Sequence, residues 1–172
     1  MQTEIHATPE LTAADRQQLD AMLDRAFADE DFDHQYYWAK NDWNLWLRFE
    51  DDIVSHVGVV DRTIAVGGLP LRVGGVGAVA TAQAWRRRGC ARQLMETAAV
   101  FLCDQLHVAA GLLICGDKMV PYYGRLGWQA VPGPLLIDQP QGKVVMSGNI
   151  MVLLFSETPW PAGTIDLCGL PW

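Results

Sequence analysis

The chain lacks most of the features that would assign it to a specialised class. It has no apolar run near the roughly 18 residues needed to span a bilayer. Its first ten residues, MQTEIHATPE, carry neither the basic start nor the apolar stretch of a secretory leader. A cytoplasmic protein with no membrane-embedded part is expected. The four cysteines, Cys90, Cys103, Cys115 and Cys168, form no C-x-x-C pair and have no histidines at metal-ligand spacing. Reduced thiols and no metal site follow as expectations. There is no internal repeat, low-complexity tract or linker, so residues 1 to 172 read as a single domain. Half of the residues are hydrophobic and 19% are charged, enough apolar content at this length to bury a continuous core.

Positive charge is also scarce. The formal net charge is −7, and residues 1 to 61 hold 14 acidic residues against 4 basic ones. A chain of this balance has no broad basic face for neutralising successive phosphates, which argues against nucleic acid as a partner. Yet four of the thirteen basic residues, Arg86, Arg87, Arg88 and Arg92, fall within the stretch AWRRRGCARQLM, residues 84 to 95.

The chain punctuates itself into mixed α and β elements. TEIHAT reads as an opening strand. Thr12 is a plausible N-cap for a first helix that carries Leu19, Leu23 and Phe27 near helical spacing. The segment DEDFDHQYYWAKNDW mixes acids and aromatics without clear period. From Leu45 onward, β-branched runs are broken at Asp51-Asp52, at Gly67-Gly68 and at Gly74-Gly75, which predicts about three antiparallel strands ending in VGAVAT. Leu94, Ala98, Phe101, Leu102 and Leu106 then form the apolar stripe of a long helix from about Gly89 to His107. AAGLLICG reads as a buried strand and KMVPYYGRLG as a short helix. WQAVPGPLLI and GNIMVLLFS read as two more strands, before an irregular tail ending on Trp172. The fold class is mixed α/β.

The arginine cluster lies where a strand hands over to the long helix. Helix N-termini direct unpaired N–H groups and the positive end of the helix dipole at what precedes them, so this is a natural anion site. Gly89 lets a phosphate approach the backbone, Ala91 leaves room, and the arginines add charge and donors. Neither G-x-x-x-x-G-K-S/T nor G-x-G-x-x-G is present.

Arg86-Arg87-Arg88-Gly89-Cys90-Ala91 matches Q/R-x-x-G-x-G/A, the pyrophosphate motif that follows a strand and opens a helix in the GNAT N-acetyltransferases. YYGRLGW resembles the Y-x-x-x-G-F/W element after that family's fifth strand, with Tyr123, Gly127 and Trp128 in the matching places. The resemblance covers most of the chain from about residue 45. IVSHVGVVDRTIAVGGLPLRVGGVGAVAT and the final tryptophan are most similar to aminoglycoside 2'-N-acetyltransferases and their relatives. The resemblance implies a central, mostly antiparallel twisted sheet with splayed fourth and fifth strands, flanked by helices.

It also implies acetyl-CoA as acyl donor and direct attack by a primary amine in a ternary complex, the acceptor being a small cationic molecule, aminoglycoside-like or otherwise. Many members of the family dimerise, so a homodimer is among its implications. By position, Val79, Ala80 and Thr81 would bind the pantetheine arm through their backbone. Arg86, Arg87, Arg88, Gly89, Cys90, Ala91 and Arg92 would hold the pyrophosphate, and Tyr123 would protonate the leaving thiolate. The relatives' glutamate early in the fourth strand is replaced by Gly77. Candidates for the proton acceptor are Glu50, Asp51, Asp52, His56 and the terminal carboxylate of Trp172, with His56 and Trp172 matching residues of the relatives. The tail DLCGLPW is shorter than theirs and lacks an aspartate near its end. On the acceptor side, Asp31 and Asp33 would attract a cationic amine while Tyr37 and Trp38 offer aromatic faces. Alternatives are a non-catalytic acyl-CoA-binding module, transfer of a longer acyl chain, and a peptide amine as acceptor.

Overall fold

The computed structural model describes residues 1–28 and 36–172. Strand β1 (Gln2–Ala7) precedes helix α1 (Ala13–Phe27), and three strands follow: β2 (Trp43–Phe49), β3 (Asp52–Val66) and β4 (Leu69–Thr81). Helix α2 (Cys90–Asp104), β5 (Ala110–Cys115) and the short α3 (Val120–Gly124) come next. The chain closes with β6 (Gln129–Val131), β7 (Leu135–Gln139), β8 (Gly142–Met146), β9 (Asn149–Leu154) and β10 (Ile165–Asp166). The strands form one sheet in the order β6-β9-β5-β4-β3-β10-β7-β8, with β2 pairing β3 and β1 pairing β2. All pairings are antiparallel except β4 with β5 and β7 with β10. This is the expected mixed α/β fold with helices against a mostly antiparallel sheet. No helix of the described residues is long and apolar enough to cross a membrane.

Local chemistry accounts for the element ends. The Thr12 hydroxyl accepts the Asp15 N–H at 3.1 Å and caps α1. Gly67 and Gly68 both take positive φ, 57° and 84°, as a two-residue hairpin between Val66 and Leu69 requires. Gly89, at φ 83°, turns the chain into α2. The buried face of α2, Leu94, Met95, Ala98, Phe101 and Leu102, is close to the predicted stripe.

Three expectations change. Gly74 and Gly75 do not break the chain; they lie inside a continuous β4. A side chain at Gly74 would run into Leu102 of α2, and one at Gly75 into the indole of Trp172. Adjacent strand residues face opposite ways, so the glycine pair lets a helix and the C-terminal tail press on the two faces of one strand. WQAVPGPLLI is two strands, β6 and β7, separated at Pro132-Gly133-Pro134, and β8 was not foreseen. The tail, expected to be irregular, adds β10 and then folds back over the sheet. The Trp172 indole N–H donates to the Leu112 carbonyl at 3.2 Å, and the Arg62 guanidinium stacks on its ring at 5.2 Å.

β4 and β5 are paired only over Val73–Gly75 and Ala110–Leu112. Both strands continue beyond that point, β4 to Thr81 and β5 to Cys115. They are therefore splayed at the end that leads into α2. Alternation also places α1 opposite α2, because Leu45 and Leu47 pack in the α2 cluster while Trp46 packs under α1.

Seating Trp172 on Gly75 gives a direct test. Gly75→Ala should cost about 1–3 kcal/mol of stability, the usual range for overpacking, measured by urea denaturation. Wild-type stability in that variant would mean the tail does not rest on β4.

Candidate functional site

The splay opens a cleft of about 290 Å³ lined by Val79, Ala80, Thr81, Trp85, Arg86, Arg87, Gly89, Cys90, Ala91, Arg92, Met119, Tyr122 and Tyr123. The end of β4 makes one wall and α3 the other, with the β4–α2 loop across the mouth. Nine of the ten residues that the resemblance implies for cofactor binding meet here. The exception is Arg88, whose guanidinium stacks on Trp85 at 5.1 Å. Met119, Tyr122 and Trp85 are additions that the motif did not single out.

The loop is shaped for an anion. Arg87 and Gly89 both adopt left-handed backbone, φ 61° and 83°, and Cys90 opens α2 immediately after. Left-handed residues within such a turn bring successive N–H groups to one side, a concavity suited to phosphate oxygens. The Arg86 Nε–H donates to the Thr81 carbonyl at 3.2 Å, tying the loop to the strand end. Arg92 is shared with Glu96 one helical turn on, at 2.8 Å. The Cys90 side chain is buried in the α2 core, so its contribution to the cleft is its backbone.

Tyr123 lies on α3, its ring edge-on to Tyr122 and Trp128. Burial, followed by the neighbouring Cys115 and Tyr122, pushes its pKa well above the usual phenol value. It therefore stays protonated across the neutral range, with a hydroxyl proton to give. The Tyr122 hydroxyl oxygen is buried with no hydrogen-bond partner among the described residues.

The proposed proton acceptors are not in the cleft lining. Asp52 borders a separate hollow of about 320 Å³ between α1 and the β3–β4 layer, and Glu50 and Asp51 form the exposed β2–β3 turn. His56 is fully buried on β3. One ring nitrogen, Nδ1, lies 2.9 Å from the Ala78 carbonyl oxygen, and the other, Nε2, lies 3.0 Å from the Asn44 side-chain oxygen. Burial lowers its pKa to about 4 against a smaller opposing effect of the Ala78 hydrogen bond. An enclosed, neutral ring with both nitrogens engaged cannot touch an amine in the cleft, so the expectation that His56 acts as base gives way to an internal role.

On the other face, Trp172 explains Gly77. A Cβ at Gly77 would lie 2.7 Å from the main-chain carbonyl carbon of Trp172 and 3.0 Å from its oxygen. The position that holds glutamate in the resembled enzymes is thus occupied by the tail. Trp38 packs against the cluster that contains Trp172, and the Ala39 N–H donates to the Pro171 carbonyl at 2.7 Å. Tyr37 projects into solvent, its backbone held by Gln139. Asp31 and Asp33 lie outside the described residues.

A family model described as an acetyltransferase (GNAT) domain matches residues 8–131. An aminoglycoside 2'-N-acetyltransferase from Mycolicibacterium fortuitum is 28% identical over 116 residues, which cover 67% of this chain but only 56% of that protein. The fold is shared with the GNAT family N-acetyltransferase YhbS from Escherichia coli, solved in complex with CoA. That comparison has a TM-score of 0.65 at 19% identity, over 97% of this chain and 90% of that one. A GNAT family acetyltransferase from Brucella melitensis, solved with acetyl-CoA, gives a TM-score of 0.65 at 15% identity, over 95% of this chain and 94% of that one.

The buried His56 makes stability sensitive to mild acid. Unfolding releases a histidine of ordinary pKa, 6.5, from a site where it titrates near 4. Protons therefore favour the unfolded chain as pH falls through that window, by ~3 kcal/mol at the lower end. Glu4 and Asp15 have pKa values below their ordinary 4.5 and 3.8, so the stability they contribute is lost only in more acidic solution. Urea midpoints measured between pH 7 and 4.5 should decline in the wild type and decline less in His56→Gln. Equal slopes would show that His56 is not the responsible group.

Proposed function

The chain belongs to the GNAT acetyltransferase family, and on that premise we propose that it binds acetyl-CoA in the β4–β5 cleft and transfers the acetyl group to a primary amine of a small cationic acceptor. The observation that carries this reading is the coincidence, in one cleft, of the left-handed Arg87–Gly89 loop, the freed end of β4 and the side chain of Tyr123. The residues present fit the donor. Arg86 and Arg87 supply charge and donors for a pyrophosphate, and the unpartnered Tyr122 hydroxyl is an orphan that a bound polar arm would satisfy. Acetyl-CoA supplies the activated acyl group, and the rest falls to the chain.

Val79, Ala80 and Thr81 hold the pantetheine arm as an added strand would be held, through main-chain hydrogen bonds. An N–H from this segment, aimed at the thioester carbonyl, stabilises the charge that develops there as the amine attacks. Tyr123 gives its proton to the departing thiolate and regains one from solvent, which also takes the proton that the amine loses as the amide bond forms. Cys90 needs no covalent role, because the attack is direct. On the acceptor side the Trp172 main-chain oxygen beside Gly77 offers a hydrogen-bond acceptor to the amine, Trp38 and Tyr37 offer aromatic faces, and Asp31 and Asp33 are the charge partners of a cationic substrate. Because Trp172 takes the space over Gly77, the acceptor pocket differs from one built around a glutamate there. This favours a cationic amine other than a large aminoglycoside.

Free-thiol release from acetyl-CoA across a panel of polyamines, amino acids, short peptides and aminoglycosides tests the reading. Turnover with a small cationic amine is expected; acetyl-CoA binding without turnover on any acceptor would reduce the protein to a binding module. Tyr123→Phe should lower kcat about ten- to a hundredfold with little change in KM. Replacing Arg86 and Arg87 together by alanine should weaken CoA binding at least about tenfold while leaving pantetheine, which lacks the pyrophosphate, nearly unaffected. Arg88→Ala should matter less than either, since its guanidinium is stacked on Trp85. Equal losses for CoA and pantetheine would remove the loop from the phosphate site.

A further inference from the structure

At Ala78 the β3–β4 ladder slips. His56 is opposite Ala80 and Gly58 is opposite Gly77, so Ala78 and Val79 together face the single residue Val57. This is a β-bulge, and it bends β4 where the strand parts from β5. Ala78 takes φ 47°, a left-handed conformation that a residue with a Cβ holds only where its surroundings impose it.

Two consecutive buried side chains of β3 impose it. The Ser55 hydroxyl donates to the Ala80 carbonyl at 2.9 Å and lies 2.8 Å from the Thr81 hydroxyl, fixing the far side of the bulge. His56 fixes the near side through the Ala78 carbonyl. Its ring cannot swing away, because Asn44 engages the other nitrogen and is itself held by Thr8 at 2.8 Å and Asn41 at 3.3 Å. A carbonyl oxygen can only accept, so a neutral ring meets it with a proton on Nδ1. A proton on Nδ1 leaves Nε2 as an acceptor, so the Asn44 amide turns its N–H to the ring and its oxygen to the Thr8 hydroxyl, with the Asn41 amide reversed in step.

The Ala78 carbonyl and the Val79 N–H belong to one peptide unit. That unit is trans, as are all those described, so the two groups point in opposite directions. His56 shares a sheet face with its register partners Trp46 and Ala80, so a carbonyl drawn to its ring turns to that face and sends the Val79 N–H towards the opposite one, where Val79 packs beside α2 and lines the cleft. We propose that His56 is a positioning residue for acyl transfer: through the Ala78 carbonyl it locks the bulge so that the Val79 N–H is presented to the thioester carbonyl. The proposal rests on the acetyl-transfer reading above and gives His56 its place in it, outside the cleft and away from the migrating proton.

The two nitrogens can be tested separately. In His56→Asn the short amide reaches the place of Nδ1 and keeps the Ala78 bond; in His56→Gln the longer one reaches towards Nε2 and keeps Asn44 instead. Both variants replace a buried ring with a smaller amide, so both should lose thermal stability to a similar degree. His56→Gln should lose about ten- to a hundredfold in kcat, with KM for acetyl-CoA and the Kd of CoA, which has no acyl carbonyl, within about threefold of wild type. His56→Asn should retain kcat within about threefold. Isotope-edited infrared spectra of bound acetyl-CoA should show the thioester carbonyl stretch lowered in wild type and in His56→Asn but not in His56→Gln. Equal losses in the two variants, or a loss confined to CoA affinity, would overturn the proposal. Nitrogen NMR of the wild type alone decides the premise should a variant not fold: a proton on Nδ1 supports it and a neutral ring protonated on Nε2 refutes it. A wild type that acetylates no amine yet shows the lowered stretch, lost in His56→Gln, would overturn the transferase reading and leave the His56-dependent placement of the Val79 N–H standing.

Discussion

Past the pairing of Gly75 with Leu112, β4 loses β5 as a neighbour, and the main chain freed by that parting has to be satisfied and aimed. On the β3 side the bulge at Ala78 is pinned by Ser55 and His56. On the β5 side nothing from the sheet replaces the lost partner, and the gap becomes the cleft. The α2 loop closes its mouth because Arg87 and Gly89 adopt left-handed backbone just before the helix begins, and α3 brings Tyr122 and Tyr123 to the opposite wall. Each of these features would be without effect if β4 and β5 stayed zipped to their ends.

The same strand carries the division between donor and acceptor. Residues 79 to 81 of β4 face the cleft, whereas Gly75 and Gly77 receive the indole and the main-chain end of Trp172. Trp172 is anchored by three contacts that do not depend on the cleft: its seat on Gly75, its bond to Leu112 and the stacked Arg62. Gly77 is therefore more than a missing glutamate. It makes room for the tail, and a larger residue there would displace Trp172, so the acceptor side has a construction of its own while the donor side keeps the family pattern.

What could be read from the sequence was local. The arginine loop, the capped first helix and the long second helix are fixed by neighbours within a turn or two, and the corresponding motifs and periodicities placed them closely. Gly74-Gly75 read as a turn because glycine marks both turns and close approaches; the reason for the pair lies in Leu102 and Trp172, far along the chain. Arg88 could not be told from Arg87 by type, and only the position of Trp85 separates the one that stacks from the one that lines the cleft. His56 carried the chemistry of a base in its residue type, but burial and two fixed partners give it a different task. The one pattern that hinted at this was a histidine next to Ser55 in the otherwise apolar stretch 53–60 of β3, facing a strand that had glycine and alanine where bulky residues would be expected.

Amide hydrogen exchange with and without acetyl-CoA is the most direct measurement of the central claim, that the parted end of β4 and the arginine loop together hold the acyl donor. The account predicts slowed exchange at residues 79–81 and 87–92 on addition of acetyl-CoA, with little change at the hollow between α1 and Asp52. Protection confined to that hollow, or no protection in the β4–β5 cleft at saturating acetyl-CoA, would contradict it.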